Sequence, residues 1–78
     1  MKHFSLEQKI AIITGGGSGL GYATAKRFTD AGGTVTIADI SDEAENAAVE
    51  LGCDFIKTDV SKDSDVENLI KRVHAKFG

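Results

Sequence analysis

Proline is missing from this chain, cysteine and tyrosine each occur once, and the two histidines, His3 and His74, stand far apart. A lone thiol, Cys53, excludes an internal disulfide, and histidines without partners at ligand spacing exclude a His/Cys metal centre. Cys53 is therefore expected as a small core residue. No apolar run approaches the roughly 20 residues that cross a bilayer, and residues 1–9 lack the apolar core of a secretory signal. The expected setting is the cytoplasm, away from membranes. An excess of positive charge is also missing: the formal net charge is −3, which argues against a nucleic-acid-binding face. Neither internal repeats nor low-complexity segments occur.

What is present is an ordinary globular composition, 41% hydrophobic and 27% charged. Seventy-eight residues hold one domain at most, and a domain of that size is marginal without a metal, a disulfide or a partner. The feature that organises the rest is Thr14-Gly15-Gly16-Gly17-Ser18-Gly19-Leu20-Gly21, five glycines in eight residues, directly after the apolar run Ile10-Ala11-Ile12-Ile13. A strand that ends in glycines and reopens as a helix suits a nucleotide pyrophosphate. Bare backbone lets phosphate approach, and the helix N-terminus offers unpaired N–H groups and partial positive charge.

In chain order, residues 1–8 form a polar lead-in in which Phe4 and Leu6 are free to pack on a neighbouring surface. Residues 9–14 are apolar without alternation, as expected of a parallel strand covered on both faces. A first helix over about 19–31 presents Leu20, Thr24, Phe28 and Ala31 at helical spacing and stops at Gly32-Gly33. Residues 34–39 are rich in β-branched side chains and form the second strand. Ser41-Asp42-Glu43 caps a second helix that runs to about Leu51 before Gly52, with Ala44, Ala47, Ala48 and Leu51 as its buried stripe and the acidic run Asp42 to Glu50 as a solvated face. The third strand covers about 54–58. A third helix opens near 61–64, where Ser64 and Glu67 match a capping box, carries Val66, Leu69, Ile70, Val73 and Phe77, and ends at Gly78.

The order βαβαβα with short connections implies right-handed crossovers and a parallel sheet. The expected fold class is α/β, the first half of a Rossmann-type doubly wound sheet with strand order 3-2-1 and the third helix crossing to the opposite face. The first strand would then be an exposed edge, which intact proteins usually cover. The expectation is that residues 1–78 are the N-terminal half of a single dinucleotide-binding domain in a longer protein, or that a partner chain completes them.

The generic G-x-G-x-x-G pattern fits the glycines only loosely, whereas Gly15-x-x-x-Gly19-x-Gly21 fits cleanly. Gly15 serves the turn off the strand, Gly19 the close approach of phosphate, and Gly21 the packing of the helix on the strand. A Walker A loop is excluded, because Tyr22 stands where a lysine would follow the last glycine. Asp39 closes the second strand 18 residues after Gly21, near the offset at which an acid holds the adenosine ribose hydroxyls. Its charge favours NAD over NADP, and neither Ser18 nor Ile40 supplies the cation a 2′-phosphate needs. The plainer readings are a solvated strand end or a cap on the second helix for Asp39, a cap on the third helix for Asp59, and packing for Val60.

Taken together, Thr14-Gly15-x-x-x-Gly19-Leu20-Gly21, Asp39 and Asp59-Val60, at the spacing found over 9–78, resemble the N-terminal half of a classical short-chain dehydrogenase/reductase. The resemblance implies NAD as cofactor, its pyrophosphate along Gly15, Gly17, Ser18, Gly19, Leu20 and Gly21, and its ribose and adenine near Asp39, Ile40, Asp59 and Val60. It further implies a soluble, homo-oligomeric oxidoreductase that interconverts a secondary alcohol and a ketone, with a small-molecule substrate bound outside these residues. The family's catalytic Tyr-x-x-x-Lys has a literal match in Tyr22-Ala23-Thr24-Ala25-Lys26, but in the family that pair lies on a much later helix. No catalytic residue is assigned in this chain. The competing functions are a non-catalytic nucleotide-binding module completed by another chain, and a domain for FAD or S-adenosylmethionine, which the glycine spacing disfavours.

Overall fold

The structure, a computed structural model, describes residues 7–15 and 18–77. Its elements are β1 (Ile10–Thr14), α1 (Gly19–Asp30), β2 (Thr34–Asp39), α2 (Asp42–Leu51), β3 (Asp54–Lys57) and α3 (Asp63–Phe77). The three strands form one parallel sheet in the order β1-β2-β3, which is the expected 3-2-1 read from the other edge. The first and third strands are each one residue shorter than expected. Lys9 still contributes its carbonyl, which accepts from the Thr34 N–H at 2.9 Å, and Thr58 its amide, which donates to the Asp39 carbonyl at 2.9 Å.

Alternation along β2 sorts the core into two layers. Val35 and Ile37 pack with Ala25 of α1 and with Ala44 and Ala48 of α2 on one face. Ala38 packs with Ile56 and Leu69 on the other, so α3 lies opposite α1 and α2. β2 is covered on both sides, and full burial of a side chain such as Ile37 stabilises by roughly 1.5–3 kcal/mol. The alanines matter for what they lack. A single methyl lets the helix axes approach the sheet closely, which larger side chains would prevent.

The helix ends follow local chemistry. Ser41 caps α2, its Oγ accepting from the Ala44 N–H at 3.2 Å, and Gly52 ends it in the left-handed conformation at φ 71°. Gly33 is required for space: a Cβ there would stand 2.2 Å from the Phe28 ring.

Two local expectations are corrected. On α1 the residue that enters the core is Ala25, while Leu20 is 81% exposed and Thr24 is exposed, its Oγ1 donating to the Leu20 carbonyl. Phe28, farther along the expected stripe, is half-buried and packs against that core, so the buried face of α1 runs through Ala25 and Phe28 and leaves Leu20 and Thr24 outside it. On α3 the helix begins at Asp63, so Ser64 lies inside its first turn and does not cap it. Lys62 occupies the cap position, its carbonyl accepting from the Val66 N–H at 3.2 Å. Phe4, Leu6 and Gly78 lie outside the described residues.

β1 pairs only with β2 among the described residues. Beside its free edge, Ile10, Ile12 and Ile70 remain 45%, 40% and 57% exposed and line a shallow apolar groove with Val73, His74 and Phe77. An unpaired, apolar parallel edge is a template for another strand. The isolated 78-residue chain is therefore expected to self-associate, or to exchange its β1 amides rapidly in hydrogen-exchange measurements; a monomer with fully protected β1 amides would contradict this account of the edge.

Candidate functional site

The parallel register brings the carboxyl ends of all three strands to one crest. Thr14 is opposite Ala38, so Gly15 emerges beside Asp39, and Asp39 is in turn opposite Lys57. Ligands of open parallel sheets bind outside such strand ends. The crest therefore gathers Gly15, Ser18, Gly19, Leu20, Asp39, Ile40, Asp59 and Val60 from three separate strand-to-helix connections. Gly16 and Gly17 lie outside the described residues, so the contact expected at Gly17 is not located.

At β1, Gly15 takes φ +69°, the left-handed region in which a side chain is strained. Its carbonyl receives both the Ser18 N–H at 3.0 Å and the Ser18 Oγ at 2.8 Å. The same Oγ accepts from the Gly21 N–H at 3.1 Å, making Ser18 the cap of α1. Among the described residues, nothing accepts from the N–H of Gly19 or Leu20. These two donors, at the positive end of the helix dipole, are the groups an anion would meet. A Cβ built on Gly19 would meet no atom of the described residues within 4 Å, so packing among them does not require glycine there.

At β2, the Asp39 carboxylate is half-buried on the same sheet face as Val35 and Ile37, and its Oδ1 accepts from the Ile40 N–H at 2.7 Å. Lys57 shares that face in register with Asp39, a cation near the acid that the one-dimensional spacing did not reveal. Strand pairing alone could have exposed it. No ion pair joins the two among the described residues; Lys57 is exposed.

At β3, Asp59 closes a tight turn. Its Oδ1 accepts from the Ser61 N–H at 3.0 Å and from the Ser61 Oγ at 2.6 Å. These bonds, the hydroxyl first and the amide second, hold the Asp59 carboxyl below the ordinary aspartate range. The Asp59 N–H donates to Asp65 Oδ2 at 2.9 Å, a partner sequence pattern did not identify. Leu20, Ile40 and Val60 project from the three connections at 81%, 56% and 60% exposure, an apolar rim around a polar floor.

The Tyr22 and Lys26 side chains take unrelated partners. The Tyr22 hydroxyl donates to Glu50 on α2 at 3.0 Å, which raises its pKa above the usual phenol value, opposite to the direction proton abstraction would need. Lys26 pairs with Asp30 at 2.9 Å. His74 is exposed on α3, away from the crest, and no group of three or more His, Cys, Asp or Glu among the described residues forms a metal site.

A sequence profile described as short chain dehydrogenase matches residues 9–78. The chain belongs to the short-chain dehydrogenase family. A tropinone reductase-like protein from Erythroxylum coca is 50% identical over 97% of this chain and 29% of its own length. A mitochondrial borneol dehydrogenase from Lavandula x intermedia is 43% identical over 94% of this chain, again 29% of its own length. The crystal structure of a short chain dehydrogenase from Bacillus anthracis superposes with a TM-score of 0.86 at 32% identity, covering 95% of this chain and 32% of that one. The chain thus spans under a third of the length of these family members. No helix among the described residues is long and apolar enough to cross a membrane.

The Asp59 turn yields a pH prediction. A carboxyl held low in the folded state contributes stability that is present above the unfolded aspartate pKa and is lost as pH falls through the lower folded value. Ser61→Ala removes the strongest bond to the charged form. It is expected to raise the Asp59 pKa toward the ordinary aspartate value in an NMR titration and to move the onset of acid unfolding upward in pH; an unmoved titration would show that the turn does not depend on the serine hydroxyl.

Proposed function

We propose that this chain is the cofactor-binding half of an NAD-dependent short-chain oxidoreductase that interconverts a secondary alcohol and a ketone. The observation that carries the reading is the crest: a left-handed Gly15, N–H donors at Gly19 and Leu20 that meet no acceptor among the described residues, and the Asp39 carboxylate on the adjacent strand end. A dinucleotide fits these residues. Its pyrophosphate would sit on the start of α1, where Gly19 leaves room for phosphate to reach backbone. Its ribose hydroxyls would donate to the Asp39 oxygen that Ile40 leaves open, and the exposed side chains of Ile40 and Val60, with Asp59, would flank the adenine ring. Ser18 holds the loop closed through its two bonds and orients the N–H groups. When bound, the cofactor supplies a hydride acceptor or donor; the residues of this chain bind and orient it, and the proton-transfer residues would lie in a segment beyond them.

Family membership and relatives that include a reductase-like protein and dehydrogenases support the reaction class. A homo-oligomer, a small alcohol or ketone as substrate and a cytoplasmic setting are part of the same proposal. The preference for NAD rests on Asp39, whose like charge opposes a 2′-phosphate, and on the β2–α2 turn, where Ile40-Ser41-Asp42-Glu43 offers no cation.

Two measurements test this reading in the intact protein. NAD is expected to bind more than about tenfold tighter than NADP in a fluorescence or calorimetric titration, a difference of about 1.4 kcal/mol. Equal affinities would overturn the assignment and point to Lys57 as the compensating cation. Gly19→Ala is expected to leave thermal stability unchanged or slightly raised, since alanine favours a helix over glycine by up to about 1 kcal/mol. Its added methyl would nonetheless stand between phosphate and backbone and weaken dinucleotide binding on the order of tenfold or more; undiminished binding would remove the pyrophosphate from the start of α1.

A further inference from the structure

We propose that Asp65, on the first turn of α3, is a positioning residue for the adenosine end of the dinucleotide site. The proposal rests on the functional reading above and deepens it. Beyond β3, the last anchor to the sheet is Thr58, whose N–H donates to the Asp39 carbonyl at 2.9 Å and whose buried Oγ1 donates to the Ile56 carbonyl at 2.9 Å. From Asp59 onward the chain leaves the sheet, and its remaining bonds among the described residues are local: Ser61 to the Asp59 carboxylate and the Lys62 N–H to the Asp59 carbonyl at 2.9 Å. The exception is the bond from the Asp59 N–H to Asp65 Oδ2, which ties the connection to α3 itself.

That bond is unlike an ordinary cap. An acid at the third helical position normally reaches back to the N–H of the cap residue, here Lys62, in a reciprocal pair. Asp65 instead reaches past Lys62 to Asp59, the residue next to Val60 on the crest. One turn farther along α3, Leu69 is buried against Ala38 and Ile56 and fixes the helix to the sheet. The mechanical path therefore runs from the sheet through Leu69 and α3 to Asp65, and from Asp65 to the Asp59 amide. Asp65 is half-buried, so water competes less for that bond than on an open surface. The consequence is a crest whose Asp59-Val60 wall is set before any ligand arrives, which removes an ordering cost from binding.

The test compares Asp65→Ala with Asp65→Asn in the intact protein, using ADP-ribose and nicotinamide mononucleotide as separate probes. Asp65→Ala, which removes only the acceptor from a helix-compatible position, is expected to weaken ADP-ribose binding about five- to tenfold and to leave nicotinamide mononucleotide unchanged. Asp65→Asn keeps an acceptor oxygen and is expected to restore ADP-ribose affinity to within about twofold of wild type. Unchanged ADP-ribose binding by Asp65→Ala, or equal losses for both probes, overturns the positioning role. Wild-type protein that binds neither ADP-ribose nor NAD overturns the dinucleotide reading and this proposal together. A measurement that needs no variant is amide exchange at Asp59 in the wild type: protection is expected before ligand is added, and an amide that exchanges freely until ADP-ribose binds overturns the proposal.

Discussion

Pairing of β2 with a parallel strand on each side is the constraint on which the other features depend. Because the strands are parallel and in register, their carboxyl ends finish at one level, and three connections that are remote in sequence become neighbours. Burial of β2 on both faces enforces that register. A slip of one residue would turn Val35 and Ile37 away from α1 and α2 and place Thr36 and Ala38 there instead. The crest is thus a by-product of core packing.

Within that frame the three connections solve different problems. The β1–α1 connection keeps donors open: Ser18 satisfies Gly21, and among the described residues nothing accepts from the Gly19 or Leu20 N–H. The β2–α2 connection keeps an acceptor open, since Ile40 takes one oxygen of Asp39 and nothing among the described residues donates to the other. The β3–α3 connection is tied down at Asp59 from both directions. On the proposed reading, the donors at the first strand end would meet a pyrophosphate, the acceptor at the second its neighbouring diol, and the third connection the flat ring beyond them.

Much of this was legible in linear order. β2 and α2 were readable to the residue, because Thr34-Val35-Thr36-Ile37 is β-branched and Ser41 and Gly52 are strong end signals. The glycine spacing and Asp39 pointed to the crest. Two features misled. The helical stripe of α1 holds for Phe28, which packs against the core, but fails for Leu20 and Thr24, because periodicity does not fix phase where an alanine, Ala25, makes the central contact. Ser64 and Glu67 match a capping box by residue type, yet the helix already begins at Asp63, which leaves Ser64 inside its first turn, and it is Asp65 whose carboxylate holds the Asp59 amide.

Local pattern specified the kind and order of the elements, the loop conformation demanded of Gly15 and the sign of the charge at Asp39. Those properties depend on backbone sterics, hydrogen-bond chemistry and hydrophobic period, all of which act within a few residues. Only tertiary packing decided which face of α1 is buried, that Lys57 stands opposite Asp39, and that Asp65 holds the Asp59 amide. Each of these is a contact between segments whose relative position exists only once the sheet has formed, and no spacing along the chain encodes the distance between them.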